Sequence, residues 1–220
     1  MPAAAYDALQ SKKQNLIMKA RKGSVFGAIS SAPHIETLTD PTSKLLNALP
    51  AGYKDLGWLS DDGAQFSTDI DSSDVSSWGS TSPTRSDITS ESLSLEVAIQ
   101  ETNLTAVGLY VGVQEAGITA GANGEVKVVR PLQPVRQQYH LLSLAVDENA
   151  AGEIYIARYW PNAQVTDKSD QTFSSGDDPI LYNITFSARP DDEIGSTEVW
   201  FFGGPGWFSI LDDLGLEATP

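Results

Sequence analysis

Large apolar residues occupy every odd position of Leu93-Ser94-Leu95-Glu96-Val97-Ala98-Ile99-Gln100. Side chains of a strand alternate between its two faces, so this period of two predicts a strand with one face in a core and the other polar. Ile180-Leu181-Tyr182-Asn183-Ile184-Thr185-Phe186-Ser187 repeats the pattern on even positions, with Thr and Ser outward. Ile154, Ile156 and Trp160 share one face of a third strand, and Leu142, Leu144 and Val146 define a fourth. Shorter strands are predicted over residues 24–30, 64–71, 126–130 and 197–202. β-branched and aromatic residues fill these runs, and Gly, Pro, Asn and Asp punctuate them. Several such strands in one chain predict a mainly β fold, an antiparallel sandwich or barrel.

Five segments break the alternation. Leu104, Val107 and Tyr110 fall at helical spacing and predict a short helix after Asn103. Asp71-Ser72-Ser73-Asp74-Val75-Ser76-Ser77-Trp78-Gly79 offers serine and aspartate caps before a short turn that Gly79 can end. Residues 5–22 fit a short basic amphipathic helix on Leu9, Leu16 and Ile17, or a segment that stays disordered until it docks. Residues 116–124 and 167–179 read as Gly-, Asp- and Ser-rich loops. No internal repeat and no linker composition divides the chain.

Charge changes this picture. The formal net charge is −15, from 29 acidic and 14 basic residues. An acidic excess argues against a nucleic-acid binder, which shows a basic face. Lys12, Lys13, Lys19, Arg21 and Lys22 cluster at the N-terminus with Asp7 as the only acid, which leaves residues 23–220 with 28 acids and 9 bases. A basic arm on an acidic body is an asymmetry that self-assembly can use. There is no cysteine, which removes disulfides, thiolate metal sites and cysteine nucleophiles. Leu16-Ile17-Met18 is too short for a signal-peptide core and no run approaches a bilayer span, so a soluble protein without a membrane partner is expected.

Catalytic constellations are weak. Only His34 and His140 supply imidazole, and both read as structural. No G-x-S-x-G elbow surrounds a serine. The carboxylate pairs Asp61-Asp62, Asp177-Asp178 and Asp191-Asp192-Glu193 fit turn chemistry better than the paired acids of a glycosidase. Asp69-x-Asp71-x-Ser73 starts like a calcium loop, but Asp74 replaces the required glycine and Ser80 the final glutamate. Gly203-Gly204-Pro205-Gly206 lacks the Gly-Lys-Ser/Thr of a phosphate loop. No enzyme, cofactor or metal is expected. The cluster Trp200, Phe201, Phe202, Trp207 and Phe208 allows three readings: packing on its own core, a patch covered by a neighbouring subunit, or a platform for sugar rings.

The segment Gly52-Tyr53-Lys54-Asp55-Leu56-Gly57-Trp58-Leu59-Ser60-Asp61-Asp62-Gly63 resembles the early part of major tail proteins from actinobacterial siphophages. The similarity continues through Trp78-Gly79, Pro83-Thr84-Arg85-Ser86-Asp87-Ile88-Thr89-Ser90-Glu91 and the alternating strand to Gln100-Glu101-Thr102-Asn103. It resumes at Arg158-Tyr159-Trp160-Pro161-Asn162-Ala163 and at Arg189-Pro190-Asp191, covering roughly residues 52–190 with gaps. The resemblance implies a β-sandwich of the tail-tube fold, with one or two short helices and extended terminal arms. It implies a structural virion subunit, assembled in the host cytoplasm, whose hexameric rings stack into a conduit for DNA ejection. Partners would be other copies of the chain, a tape measure protein, a tail terminator and distal tail or baseplate proteins, with DNA passing through unbound. On this reading residues 1–22 are a basic arm, 23–195 the sandwich and 196–220 a C-terminal strand with an aromatic-rich extension. Lys12, Lys13, Lys19, Arg21, Lys22, Trp207 and Phe208 are candidate subunit contacts, and Glu96 and Glu101 candidate lumen residues. The alternative from another class is an Ig-like or carbohydrate-binding β-sandwich module.

Overall fold

The computed structural model describes residues 6–133, 136–176 and 179–217. Eight strands follow one another as β1 (Lys22–Ile29), β2 (Lys54–Asp55), β3 (Leu59–Val75), β4 (Arg85–Ile99), β5 (Gln138–Asn149), β6 (Gly152–Lys168), β7 (Tyr182–Ala188) and β8 (Val199–Gly203). Helix α1 (Leu104–Val111) follows β4, and two single-turn helices, α2 (Pro205–Phe208) and α3 (Leu211–Leu214), follow β8. All the strand pairings are antiparallel, in the order β2-β1-β5-β6-β7-β4-β3, with β8 added on β6. The fold is mainly β and sandwich-like, as the alternation predicts.

β6 is the hinge of this topology. One edge pairs with β5; the other pairs with β8 over residues 155–159 and with β7 over residues 163–168. Between those two partners lies Pro161, opposite a register shift in β5. A proline has no N–H to give a ladder and is tolerated at such an irregularity. The sheet therefore forks at Pro161, and its two branches enclose separate cores.

The first core joins Leu95, Val97 and Ile99 of β4 to Tyr182, Ile184 and Phe186 of β7, with Leu141, Trp160 and Leu109 closing it. Its members are the apolar positions of the two alternating runs, although the second strand starts at Tyr182 and leaves Ile180 exposed. The second core lies on the opposite face of β5 and β6. There Leu142, Tyr155, Ala157 and Tyr159 pack under Ile35 and Leu38 from the connection between β1 and β2. Burial of both faces explains why adjacent residues such as Leu141 and Leu142, or Tyr159 and Trp160, are all inaccessible. Each such side chain contributes about 1.5–3 kcal/mol by leaving water.

Asn103 caps α1, its side-chain oxygen accepting the N–H of Ala106 at 2.8 Å, while its amide nitrogen donates to the Leu56 carbonyl at 2.9 Å. One residue thus starts the helix and ties it to the core. At the other terminus Gly206 lies so close to β6 that a Cβ there would sit 2.4 Å from the Gly152 carbonyl oxygen. Gly204 makes the same approach, where a Cβ would sit 2.4 Å from the Glu153 carbonyl oxygen.

Several expectations need correction. Residues 6–22 form two 3₁₀ turns, Tyr6–Leu9 and Gln14–Leu16, separated by extended chain, and not an amphipathic helix. Leu9 and Ile17 are exposed, so no apolar face is buried that would hold a helix. Residues 126–130 make a single bridge, Ala120 to Val126, in place of a strand. Residues 71–75, expected to lead into a turn, continue β3, and the turn comes after Val75. Repeated serines and aspartates carried the capping signal there, but pairing with β4 overrides it. Asp177-Asp178 lies outside the described residues.

Candidate functional site

The most distinctive surface is built by β3 and β4. Their pairing with β7 stops at Ser94, yet the two strands continue together to Val75 and Arg85. The last eight residues of β3 thus project as a two-stranded ribbon about 25 Å long. An isolated ribbon of two strands is marginal in water. This one also exposes Ile70, Ile88 and a fully accessible Trp78. Pairing of Ile70 with Glu91 and of Ser72 with Ile88 places both isoleucines on one face of the ribbon, continuing the side that carries Phe66 and Leu95. Asp69, Asp71 and Asp87 occupy the other face, where Ser90 Oγ donates to Asp71 at 2.9 Å. Residues 69–91 carry five carboxylates and one base, Arg85, which is paired with Asp87.

Behind the ribbon the outward face of the sheet is polar. Ser94 is flanked by Ser67 and Ser187, and Glu96 by Gln65 and Thr185. Gln164 extends the row onto β6. No Lys or Arg stands at any of these positions. Glu96 is exposed on this face. Glu101 is placed differently: it follows β4, and its carboxylate accepts the Trp58 N–H at 2.9 Å. That bond makes it a brace for the turn into α1 and removes it from the polar row.

The basic arm lies along its own chain. Lys13 Nζ is 3.1 Å from an Asp213 carboxylate oxygen, and Arg21 is 3.4 Å from Glu148. The Lys19 N–H donates to Asp147 at 2.7 Å, and Lys22 is the first residue of β1. Lys12 is exposed. The backbone bond to Lys19, with Arg21 nearby, holds Asp147 below the usual carboxylate range. Of the aromatic candidates, Trp207 stacks on Phe202 with ring centroids 4.9 Å apart, and Phe202 stacks on Trp200 at 5.9 Å. Phe208 is half exposed beneath Lys44, whose Nζ is 4.7 Å from the ring centre. Only Phe201 turns inward, against the second core.

The histidines meet although they are distant in sequence. Their rings stack at 4.5 Å; His34 Nδ1 is 2.9 Å from the Tyr159 hydroxyl, and His140 Nδ1 is 3.2 Å from that of Tyr53. The Tyr53 and Tyr159 hydroxyls are 3.2 Å apart. Burial, then the neighbouring Tyr159, pushes Tyr53 far above the ordinary phenol range. His140 and Tyr159 are buried, His34 and Tyr53 half-buried, and hydrogen bonds tie the four side chains together. Asp191 accepts the N–H groups of Glu193 and Ile194, which is turn chemistry. Asp69 and Asp71 lie on a strand and not in a loop that could wrap calcium. Among the described residues no group of three or more His, Asp or Glu side chains could hold a metal ion.

Sequence reasoning missed the ribbon. The signal was available: Ile70 and Ile88 keep the strand alternation within serine- and aspartate-rich flanks whose composition reads as loop. What the geometry offers is a projecting surface of exposed apolar and acidic side chains. No curated protein matches the chain. A family model described as phage tail tube protein matches residues 11–197, from within the basic arm to just before β8. That match spans both cores, the ribbon and the polar face, and the chain belongs to the phage tail tube protein family.

Proposed function

We propose that this protein, a structural component of the virion tail that self-assembles into a tube, does so as hexameric rings stacked head to tail around a channel for DNA ejection. The observation that carries this reading is the β3–β4 ribbon. It leaves the sheet, exposes Ile70, Ile88 and Trp78, and gains a stable environment only against another molecule. Because the ribbon emerges from one end of the strands, its contact with a second copy is heterologous and can repeat without limit along an axis. The polar row of Ser94, Glu96, Thr185 and Ser187 supplies a wall without cations. Phosphates meet nothing there that would hold them.

In this assignment the protein has no catalytic role. The ends of the tube would engage a tape measure protein, a terminator and distal tail or baseplate proteins, after assembly in the host cytoplasm. Lys12, Lys19 and Lys22 of the arm, with Trp207 and Phe208, would contribute contacts between copies. Negative-stain microscopy of the concentrated protein tests the reading. Rings or tubes with sixfold symmetry are expected; a protein that stays monomeric at every concentration, or closes with another symmetry, would overturn it.

A further inference from the structure

The body that carries 28 acids against 9 bases gathers four of those bases at one place. β5 begins at Gln138, opposite Gln164, so residues 165–168 of β6 have no partner on that side. The notch beside them, closed by the C-terminal end of α1 and by residues 130–131 and 136–137, is a cavity of about 550 Å³ lined by Arg130, Arg136, Lys168 and Arg189. Asp167 is the only carboxylate among its described lining residues. None of the four cations forms an ion pair among the described residues. Burial, and then the charge of Arg130, holds Lys168 below the ordinary lysine value. Like charges assembled around a half-enclosed space repel one another, and an anionic occupant relieves that repulsion.

We infer that this notch is the receptor for the acidic β3–β4 ribbon of a second copy of the chain. This inference rests on the tube reading above and names the contact that links successive copies. Charge complementarity chooses the occupant: the ribbon has five carboxylates, and its single base is already engaged with Asp87. Geometry excludes the ribbon of the same chain. Lys168 stands opposite Ile184, which stands opposite Val97 near the α1 end of β4. The ribbon tip at Arg85 is about 40 Å away along that strand and points in the other direction. Donor and receptor therefore sit at opposite ends of the molecule, the arrangement that propagates head to tail.

Assembly of the full-length protein, followed by sedimentation velocity and negative stain across a concentration series, tests the contact by charge reversal. The pocket variant Arg130→Glu with Lys168→Glu, and the ribbon variant Asp69→Lys with Asp71→Lys, should each raise the concentration needed for assembly at least tenfold. A chain carrying all four substitutions should recover most of the loss. Circular dichroism checks folding; if the pocket variant does not fold, Arg130→Gln with Lys168→Gln takes its place, and the ribbon changes are exposed and spare the cores. Wild-type tubes together with normal assembly of both variants overturn the notch while leaving the tube reading intact. Pocket variants that assemble normally but lose binding of inorganic phosphate or of duplex DNA also overturn it, assigning the notch to phosphate. Wild-type protein that never assembles removes the tube reading and this contact together.

Discussion

Arg158 Nε donates to Glu198 at 2.6 Å, joining β6 to the segment before β8. The same carboxylate accepts the indole N–H groups of Trp160 and Trp200, each at 2.7 Å. The guanidinium lies between two rings, 3.8 Å from the centre of Phe66 and 4.5 Å from that of Trp200. Desolvation alone raises the Glu198 pKa, but the donors outweigh it and hold the carboxyl below its usual range. The depressed value gives the sign: the stabilisation is present above pH about 4.5 and is lost as the pH falls through the folded value. Glu198→Ala, which strands Arg158, should cost about 3 kcal/mol in urea unfolding at pH 7. Glu198→Gln should flatten the loss of stability in acid, and an unchanged acid profile would show that the pair contributes nothing.

The stacked histidines predict a second, milder acid response. Burial first, and the adjacent His34 second, hold His140 below the ordinary value of 6.5, although Asp191 and Glu193 oppose the shift. The unfolded chain takes up this proton more readily. Stability from keeping the ring neutral is therefore complete above pH about 6.5 and declines below it, by at most about 1.4 kcal/mol per pH unit. Urea midpoints measured from pH 7.5 to 5.0 should fall more steeply for the wild type than for His140→Gln. Parallel slopes would disprove the role of this ring.

How much of this was legible depended on what each residue packs against. Leu95, Val97 and Ile99, like Tyr182, Ile184 and Phe186, alternate because one face of their strands is buried and the other is polar. The period is then visible in the sequence. β5 and β6 bury both faces: the alternation of Leu142, Leu144 and Val146 marked the β5 face that meets the second core, but neither Leu141 on the opposite face nor the covering Ile35 and Leu38 could be read from it. α1 was announced by its spacing and its Asn103 cap. The receptor notch was hidden because Arg130, Arg136, Lys168 and Arg189 are scattered in sequence and meet only through the late start of β5. The basic arm was visible as composition, but its partners Glu148 and Asp213 follow from folding alone.

Those partners shape the expectation for the arm. Its ion pairs are exposed, and screening by water and salt leaves such pairs little weight in stability. Removing residues 1–20 should therefore lower folding stability only slightly while impairing tube formation, since Lys12 and Lys19 go with it and Asp213 loses its partner Lys13. Calorimetry and a sedimentation series read the two effects separately. Tubes forming at the wild-type concentration would show that the arm serves its own subunit only.

The polar face makes the most direct prediction about DNA. A conduit must let a duplex slide without holding it, and lysines on its wall would bind phosphates with strong, salt-sensitive adhesion. Glu96 sits among Gln65, Ser94 and Thr185, so the row offers hydroxyls, an amide and one carboxylate, with no cation. Repulsion from such a wall is screened beyond about 8–10 Å at physiological salt, a distance that still matters in a narrow channel. If this face lines the lumen, Glu96→Lys with Thr185→Lys should leave tubes intact, because neither side chain enters the core, yet make them retain duplex DNA in a salt-sensitive way. Phage carrying both changes should eject their genomes more slowly. Normal tubes with unchanged DNA retention and unchanged ejection kinetics would move this face to the outside of the tube.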